Sequence, residues 1–410
     1  GQETIEGLLK RLDEIIVRRE RDYRRIDGEY KREDGTVLSK EYDEYQQRKS
    51  ALTQRVDMES IDCQKKLDEL CRKVRGRQPA LVDLEAGTLN RNGRFPHWIA
   101  LGKYHIRYDN LDFFVPKTFR FPFEKPMYIA DDSQSELLHK VMLRLMYSLP
   151  VNKQEYYVFD PIGMGRSVWI FNQLFSDRKL FPQGKVMTTS VELKAALQDV
   201  SDYMGSLYSD FFSIGNDCPN WASCNQRFHS QGSDEKMLPY KVFIFMDVPE
   251  EMDADCFSMF RKLMLHSAEC GFLVLFSFNG TLLEGEDSKM RAQELQLRQL
   301  VDGSLPLHAV LNREIKDLTY DRLRIDSIGE KFPNRQKLRE LLDAFQEEAG
   351  KDDDAFRSFD RILPREALFR GSSAKKLSIP CGYAVAGGYE LSIEIGDRTP
   401  HYLIGGTTGS

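Results

Sequence analysis

The chain has 410 residues, with 58 Lys and Arg against 64 Asp and Glu, for a net charge of −6. That length allows two or three structural units and at least one sizeable core, and the charge excludes a surface that is basic all over, though not a local basic face. No apolar run reaches the ~18 residues of a membrane span, and no signal peptide is visible, so a cytoplasmic segment without a membrane span is expected.

Residues 3–76 are highly charged and nearly free of proline. Ile5, Leu8, Leu9, Leu12, Ile15 and Ile16 recur at helical spacing. After Asp34-Gly35 a looser stripe continues through Leu38, Tyr42, Tyr45, Leu52, Val56, Leu67, Leu70 and Val74. The spacing predicts a helical hairpin or coiled-coil arm over 1–78, with its turn at Asp34-Gly35. The thin stripe and the mixed charges favour a solvated arm used for packing, with contact to DNA or a partner protein as the alternative.

Beyond Arg75-Gly76-Arg77-Gln78-Pro79 the texture changes. Strand-like runs appear at Trp98–Leu101, Tyr104–Tyr108, Phe113–Val115, Met127–Ala130, Tyr156–Phe159, Lys241–Met246 and Phe272–Ser277. The last two are continuous apolar runs, as in parallel strands covered on both faces. Helical segments are predicted over 136–148, 191–212 and 253–269. This alternation predicts an α/β domain with a mainly parallel sheet over 79–330. A helix over 284–301, strands over 305–311 and 323–328, and a helix over 336–348 follow. Lys351-Asp352-Asp353-Asp354 reads as an acidic loop and hinge within a linker spanning 331–376. Two strands, 389–395 and 401–404, open a last block over 377–410.

The seven cysteines show no metal-ligand spacing. Cys218 and Cys224 lack a second pair, and the scattered pattern reads as reduced thiols. No HxxxH or HExxH occurs, which disfavours a metal hydrolase. The run from Phe113 to Phe123 interleaves aromatics with Lys117 and Arg120. Single-strand stacking is one reading of it, and burial against the sheet is the favoured one.

The chain ends Tyr402-Leu403-Ile404-Gly405-Gly406-Thr407-Thr408-Gly409-Ser410. A short strand entering a Gly-Thr turn is how a P-loop begins, because glycines let backbone N–H groups close on phosphates. The lysine and the following Ser/Thr of GxxxxGK[ST] would come after Ser410. On spacing alone, a glycine-rich tail past the last strand is the other reading.

Ser378-Ile379-Pro380-Cys381-Gly382, the strand 389–395, and Pro400-His401 through Ser410 together resemble the entry into an FtsK/SpoIIIE motor domain. Gly371-Ser372-Ser373-Ala374 is similar to the lead-in between tandem ATPase modules of EccC-like secretion motors. The resemblance implies that Gly405, Gly406, Thr407, Thr408, Gly409 and Ser410 begin a nucleotide-binding loop. It also implies ATP and Mg as cofactors of a longer parent protein, which would form a homo-oligomer.

Residues 95–325 resemble the same family more faintly, implying a RecA-like P-loop sheet whose site has decayed. The stretch Pro126 to His139 stands where loop and first helix would be, without glycines or a lysine, and with Asp131, Asp132 and Glu136 where phosphates would sit. Tyr156 to Gly165 matches the second strand and its turn, in which Gly163 and Gly165 read as a tight turn rather than a dinucleotide signature. Asp247 ends a Walker B-like strand but is followed by Val248-Pro249 instead of a catalytic acid. Asn279 stands at the sensor position. Both are expected to cap strand ends, with no intact catalytic residue and no bound metal in this segment.

The resemblance implies the regulatory or assembly segment of an ATP-driven DNA translocase. A secretion-type module that binds a peptide or protein signal, and a plain structural interaction module, are the alternatives. A basic channel face would favour DNA, and an apolar pocket at the decayed site would favour peptide capture.

Overall fold

The computed structural model describes residues 4–32, 39–91, 93–108, 111–130, 135–212, 218–284, 291–312, 321–356, 376–383 and 390–396. In chain order these form α1 (Ile5–Arg32), α2 (Ser39–Arg77), β1 (Trp98–Tyr108), β2 (Leu111–Arg120), β3 (Met127–Ile129), α3 (Ser135–Ser148), β4 (Gln154–Phe159), α4 (Ser190–Ser206), α5 (Trp221–Ser230), β5 (Tyr240–Phe245), α6 (Ala254–Cys270), β6 (Phe272–Ser277), α7 (Ala292–Asp302), β7 (Leu305–Pro306), α8 (Leu307–Asn312), β8 (Arg324–Ile328), α9 (Arg335–Phe356), β9 (Lys376–Tyr383) and β10 (Glu390–Gly396).

The main sheet has five strands in the order β4–β5–β6–β3–β7. Counting β3 as the first strand, the order is second, third, fourth, first, fifth, which is the RecA-like arrangement. Pairing is parallel for β4 with β5 and for β3 with both β6 and β7. All residues of β5 and β6 are buried, as continuous apolar strands require. A smaller antiparallel sheet has the order β2–β1–β8, and β9 pairs with β10.

The chain divides into two compact units, each discontinuous in sequence. The first comprises 1–90, 95–149 and 275–341. Its two long helices run antiparallel, as the contacts of Cys63 with the Leu8 carbonyl, Arg18 with Glu59 and Lys49 with Asp27 show. The predicted turn at Asp34-Gly35 lies outside the described residues. The stripe Ile5, Leu8, Leu9, Leu12, Ile15 and Ile16 is buried in one core with Val56 and Leu67 of α2, Tyr104 and Ile106 of β1, Val115 of β2 and Leu323. The arm is therefore seated on the small sheet. Asp13, buried on α1, accepts backbone N–H bonds from Asp321, Arg322 and Leu323 at 2.8, 2.9 and 2.9 Å. Two turns later Glu20 accepts from Arg322 Nε at 2.6 Å and from the Tyr108 hydroxyl at 2.9 Å.

The runs 98–101 and 104–108, predicted as two strands, form one strand with a bulge. Gly102 turns there with φ 101°, and a Cβ on it would stand 2.8 Å from the Ile328 carbonyl oxygen. The predicted strand 305–311 is instead the two-residue β7 followed by α8. Leu307, Val310 and Leu311 are all buried there, a spacing of three and four that suits a helix face.

The second unit comprises 91–94, 150–274 and 342–410. In it β4 and β5 pair from Gln154 with Tyr240 to Phe159 with Phe245. Glu155 and Lys241, partners in that register, form an ion pair that the Tyr157 hydroxyl joins at 2.9 Å. Helix α4 opens on a capping box of Thr189 and Glu192. The Asp253 carboxylate caps α6, which ends at Gly271 in a left-handed turn of φ 73° under the Trp221 ring.

The expected acidic loop at Lys351–Asp354 is corrected. It continues α9 as far as Phe356. Between Arg335 and that end the only poor helix former is Gly350, which costs about 1 kcal/mol, too little to stop a helix seated by buried Leu338, Leu341, Leu342 and Phe345.

Candidate functional site

The carboxyl end of β3 is where a nucleotide loop would open. Residues 131–134, including Asp131 and Asp132, lie outside the described residues. Around them the residues do not fit a triphosphate. Glu136 stands in the first turn of α3, where phosphate charge would fall, and takes up Lys140 at 2.7 Å. The Phe278 N–H donates to the Ile129 carbonyl at 3.2 Å, and a Cβ on Gly280 would stand 2.7 Å from the Ala130 carbonyl oxygen. The backbone leaving β6 therefore closes directly on the backbone leaving β3. Asn279 is engaged locally, its side-chain oxygen accepting from Thr281 N at 3.0 Å and Thr281 Oγ1 at 2.9 Å.

Asp247 follows β5 with φ 57°, a left-handed conformation that aspartate tolerates better than most residues. Its carbonyl accepts the Glu250 N–H at 2.7 Å, so the strand ends in a tight turn. Glu250 closes that turn and Glu251 comes next, so neither acid follows Asp247 directly. The residues Gly405, Gly406, Thr407, Thr408, Gly409 and Ser410 lie outside the described residues. Among the described residues no cluster of three or more His, Cys, Asp or Glu is placed to hold a metal ion. No helix among them is long and apolar enough to cross a membrane.

The run weighed for nucleic acid is mostly packed. Lys117 is buried, donating to the Leu311 carbonyl at 3.0 Å and Ser327 Oγ at 3.1 Å. Phe121 and Phe123 are buried as well. Phe114 is exposed but stacks on His105, with Lys103 Nζ 4.6 Å from its ring centre.

A different feature stands out in the second unit, just past β4. Asp160, 1% exposed, accepts four hydrogen bonds: from Gly163 N at 2.9 Å, Gly165 N at 3.0 Å, Ser167 N at 3.1 Å and Ser167 Oγ at 2.8 Å. The chain must curl tightly round the carboxylate to make them. Gly163 is required because a Cβ there would stand 2.5 Å from Asp160 Oδ1, and Gly165 because its φ is 89°. Between them Met164 is held at φ 49°, a conformation that an unbranched side chain occupies only when its surroundings impose it.

The turn holds apolar side chains out in water. Ile162 is 64% exposed, Met164 77% and Trp169 54%. Single exposed apolar residues are ordinary, but three within eight positions beside a concavity are not. They adjoin an open pocket of about 570 Å³ lined by Met164, Arg166, Trp169, Asn172, Phe175, Lys185 and Val186, with glycines between. Its lining mixes the apolar side chains of Met164, Trp169, Phe175 and Val186 with the polar ones of Arg166, Asn172 and Lys185, a mixture found in ligand sites. This pocket lies in the turn after β4 and not at the decayed nucleotide loop, where an apolar pocket would have favoured peptide capture.

In the sequence Gly163 and Gly165 mark a tight turn, while Ile162, Met164, Arg166 and Trp169 carry no signal of their own. The available signal was the pair of glycines around a methionine, right after a buried strand ending in aspartate. That pattern says the turn is tight, but not which side chains it turns outward.

No family model matches the chain, and no curated protein matches it. Among solved structures it is similar to several chains, including these three. One is EccC (ATPases 2 and 3) of Thermomonospora curvata in complex with a signal sequence peptide, at 10% identity and a TM-score of 0.39, over 73% of this chain and 56% of that one. Another is EssC (ATPases 2 and 3) of Geobacillus thermodenitrificans, at 11% identity and a TM-score of 0.40, over 74% of this chain and 60% of that one. The third is the cytoplasmic domain of the Thermomonospora curvata type VII secretion ATPase EccC, at 12% identity and a TM-score of 0.40, over 75% of this chain and 37% of that one. The chain therefore spans less than two thirds of each of these proteins, and likenesses this distant bear on neither activity nor partners.

Proposed function

We propose that the RecA-like domain is a non-hydrolysing recognition module, which captures a peptide or protein signal in the pocket behind Met164 and works within a longer FtsK/SpoIIIE-type ATPase of the secretion kind. The observation that supports this most is the turn 160–167, a rigid, strained loop that holds Ile162 and Met164 in solvent beside a pocket. A surface without a partner would gain stability from polar residues there, so their exposure favours an occupant. The closed backbone at Ile129, Ala130 and Gly280 and the local engagement of Asn279 favour the loss of nucleotide chemistry. On this reading ATP and Mg belong to the parent's next module, which the Gly405–Ser410 segment would begin. DNA translocation, the other expectation, has no comparable support, because Lys117 is engaged inside the fold.

The test is selection of a phage-displayed library of random dodecapeptides on the immobilised full chain. Enriched clones should bind the chain and lose binding to the double variant Ile162→Ser, Trp169→Ala, both exposed positions that leave the core intact. A library that yields no enrichment, or clones that bind the double variant equally well, would refute capture at this pocket. Purified protein should also turn over no ATP above background, with Asp247→Ala changing nothing.

A further inference from the structure

Building on peptide capture at the Met164 pocket, we infer that the pocket takes a segment in which an apolar anchor is flanked by a carboxylate. The segment that forms the pocket carries a net charge opposite to that of the chain. Residues 161–187 carry Arg166, Arg178, Lys179 and Lys185 against the single acid Asp177, whereas the whole chain is net −6. That acid is turned onto its own backbone, its carboxylate accepting from Lys179 N at 2.9 Å and Leu180 N at 3.1 Å. Two of the cations are also committed. Lys185 pairs with Glu192, and Arg178 donates to the Gln183 carbonyl at 2.7 Å.

Arg166 differs from them. It lines the pocket and is exposed, as Lys185 is, but it has no side-chain partner among the described residues. Its position is fixed all the same. Its N–H is bonded to the Gly163 carbonyl at 3.0 Å, and the N–H groups on either side of it, at Gly165 and Ser167, both end on Asp160. The turn thus places an unspent guanidinium beside Met164 and Trp169. A planar guanidinium offers paired donors that match one carboxylate, and an occupant covering Met164 and Trp169 would shield that pair from water. A segment with a free cation near its anchor would meet Arg166 as repulsion.

The same dodecapeptide selection separates this chemistry from capture itself. Enriched clones should carry Asp or Glu next to an aliphatic or aromatic residue, and Arg166→Gln should weaken their binding about three- to tenfold. Arg166→Glu should shift a fresh selection toward peptides with Lys or Arg beside the anchor. Clones without an excess of acidic residues, or clones indifferent to both Arg166 substitutions, would overturn the carboxylate requirement while leaving apolar capture standing. An absence of any enrichment would overturn both.

Discussion

The Asp160 carboxylate organises the turn that carries the site, so removing it should release that turn without dissolving the sheet. In Asp160→Ala the acceptors of four hydrogen bonds, at 2.8 to 3.1 Å, vanish together. A bond to a charged acceptor contributes about 1.5–3 kcal/mol net, but these four act as a unit and are not additive. The turn lies under exposed Ile162 and Met164, so water can reach part of what is orphaned. The expected loss is about 3–4 kcal/mol, near the upper end for one substitution. It should appear as a local opening equilibrium raised about 100- to 1,000-fold, read by hydrogen exchange at Gly163, Gly165 and Ser167. Asp160→Asn should give a smaller loss, because one amide oxygen still accepts while the amide NH₂ faces donors. If Asp160→Ala left exchange across 163–167 unchanged, the carboxylate would not be what holds Met164 in its left-handed conformation.

Three further outcomes follow from the described geometry. Asp13→Ala removes a buried carboxylate bound by three consecutive N–H groups. It should cost about 3 kcal/mol, seen as a lower urea midpoint and faster exchange at Asp321 to Leu323. Gly271→Ala places a Cβ 2.2 Å from Trp221 Cγ at φ 73° and should cost about 2–4 kcal/mol, read by thermal unfolding with Trp fluorescence. The Glu192 carboxyl is held down to about 2 from an ordinary 4.5, first by Lys185 and then by the Thr188 N–H. Its contribution is therefore complete above about pH 4.5 and fades as pH falls toward 2. Wild type should exceed Glu192→Gln in urea midpoint at neutral pH, and the gap should close over that acid range.

The central sheet was legible because its strongest strands, β5 and β6, are unbroken apolar runs, and tertiary context only confirms such runs. The hairpin was legible from the spacing of Ile5 through Ile16, although nothing in that spacing says that Tyr104, Ile106 and Val115 share its core. The short β7 was misread because a strand and a buried helix turn look alike over a mostly apolar run of seven residues. The end of α9 was misread because a charge cluster resembles a loop, whereas Lys and Asp cost a helix little when its earlier turns are anchored. The candidate site was only half visible. Glycines at 163 and 165 declare a turn, but the exposure of Met164 and Trp169 depends on which way that turn faces, and this is settled by the Asp160 bonds.

The clasp between Asp13 and the Asp321 N–H joins positions 308 residues apart. During synthesis at roughly 5–20 residues per second, the first helix would wait roughly 15 to 60 s before its receptor strand leaves the ribosome. Through that interval the second helix and the β1–β2 pair can cover its apolar side, while Asp13 waits for its three N–H donors. The polar clasp of the amino-terminal hairpin is thus among the last contacts to become available, and a nascent chain stalled before residue 321 would carry a hairpin with that carboxylate still unclasped.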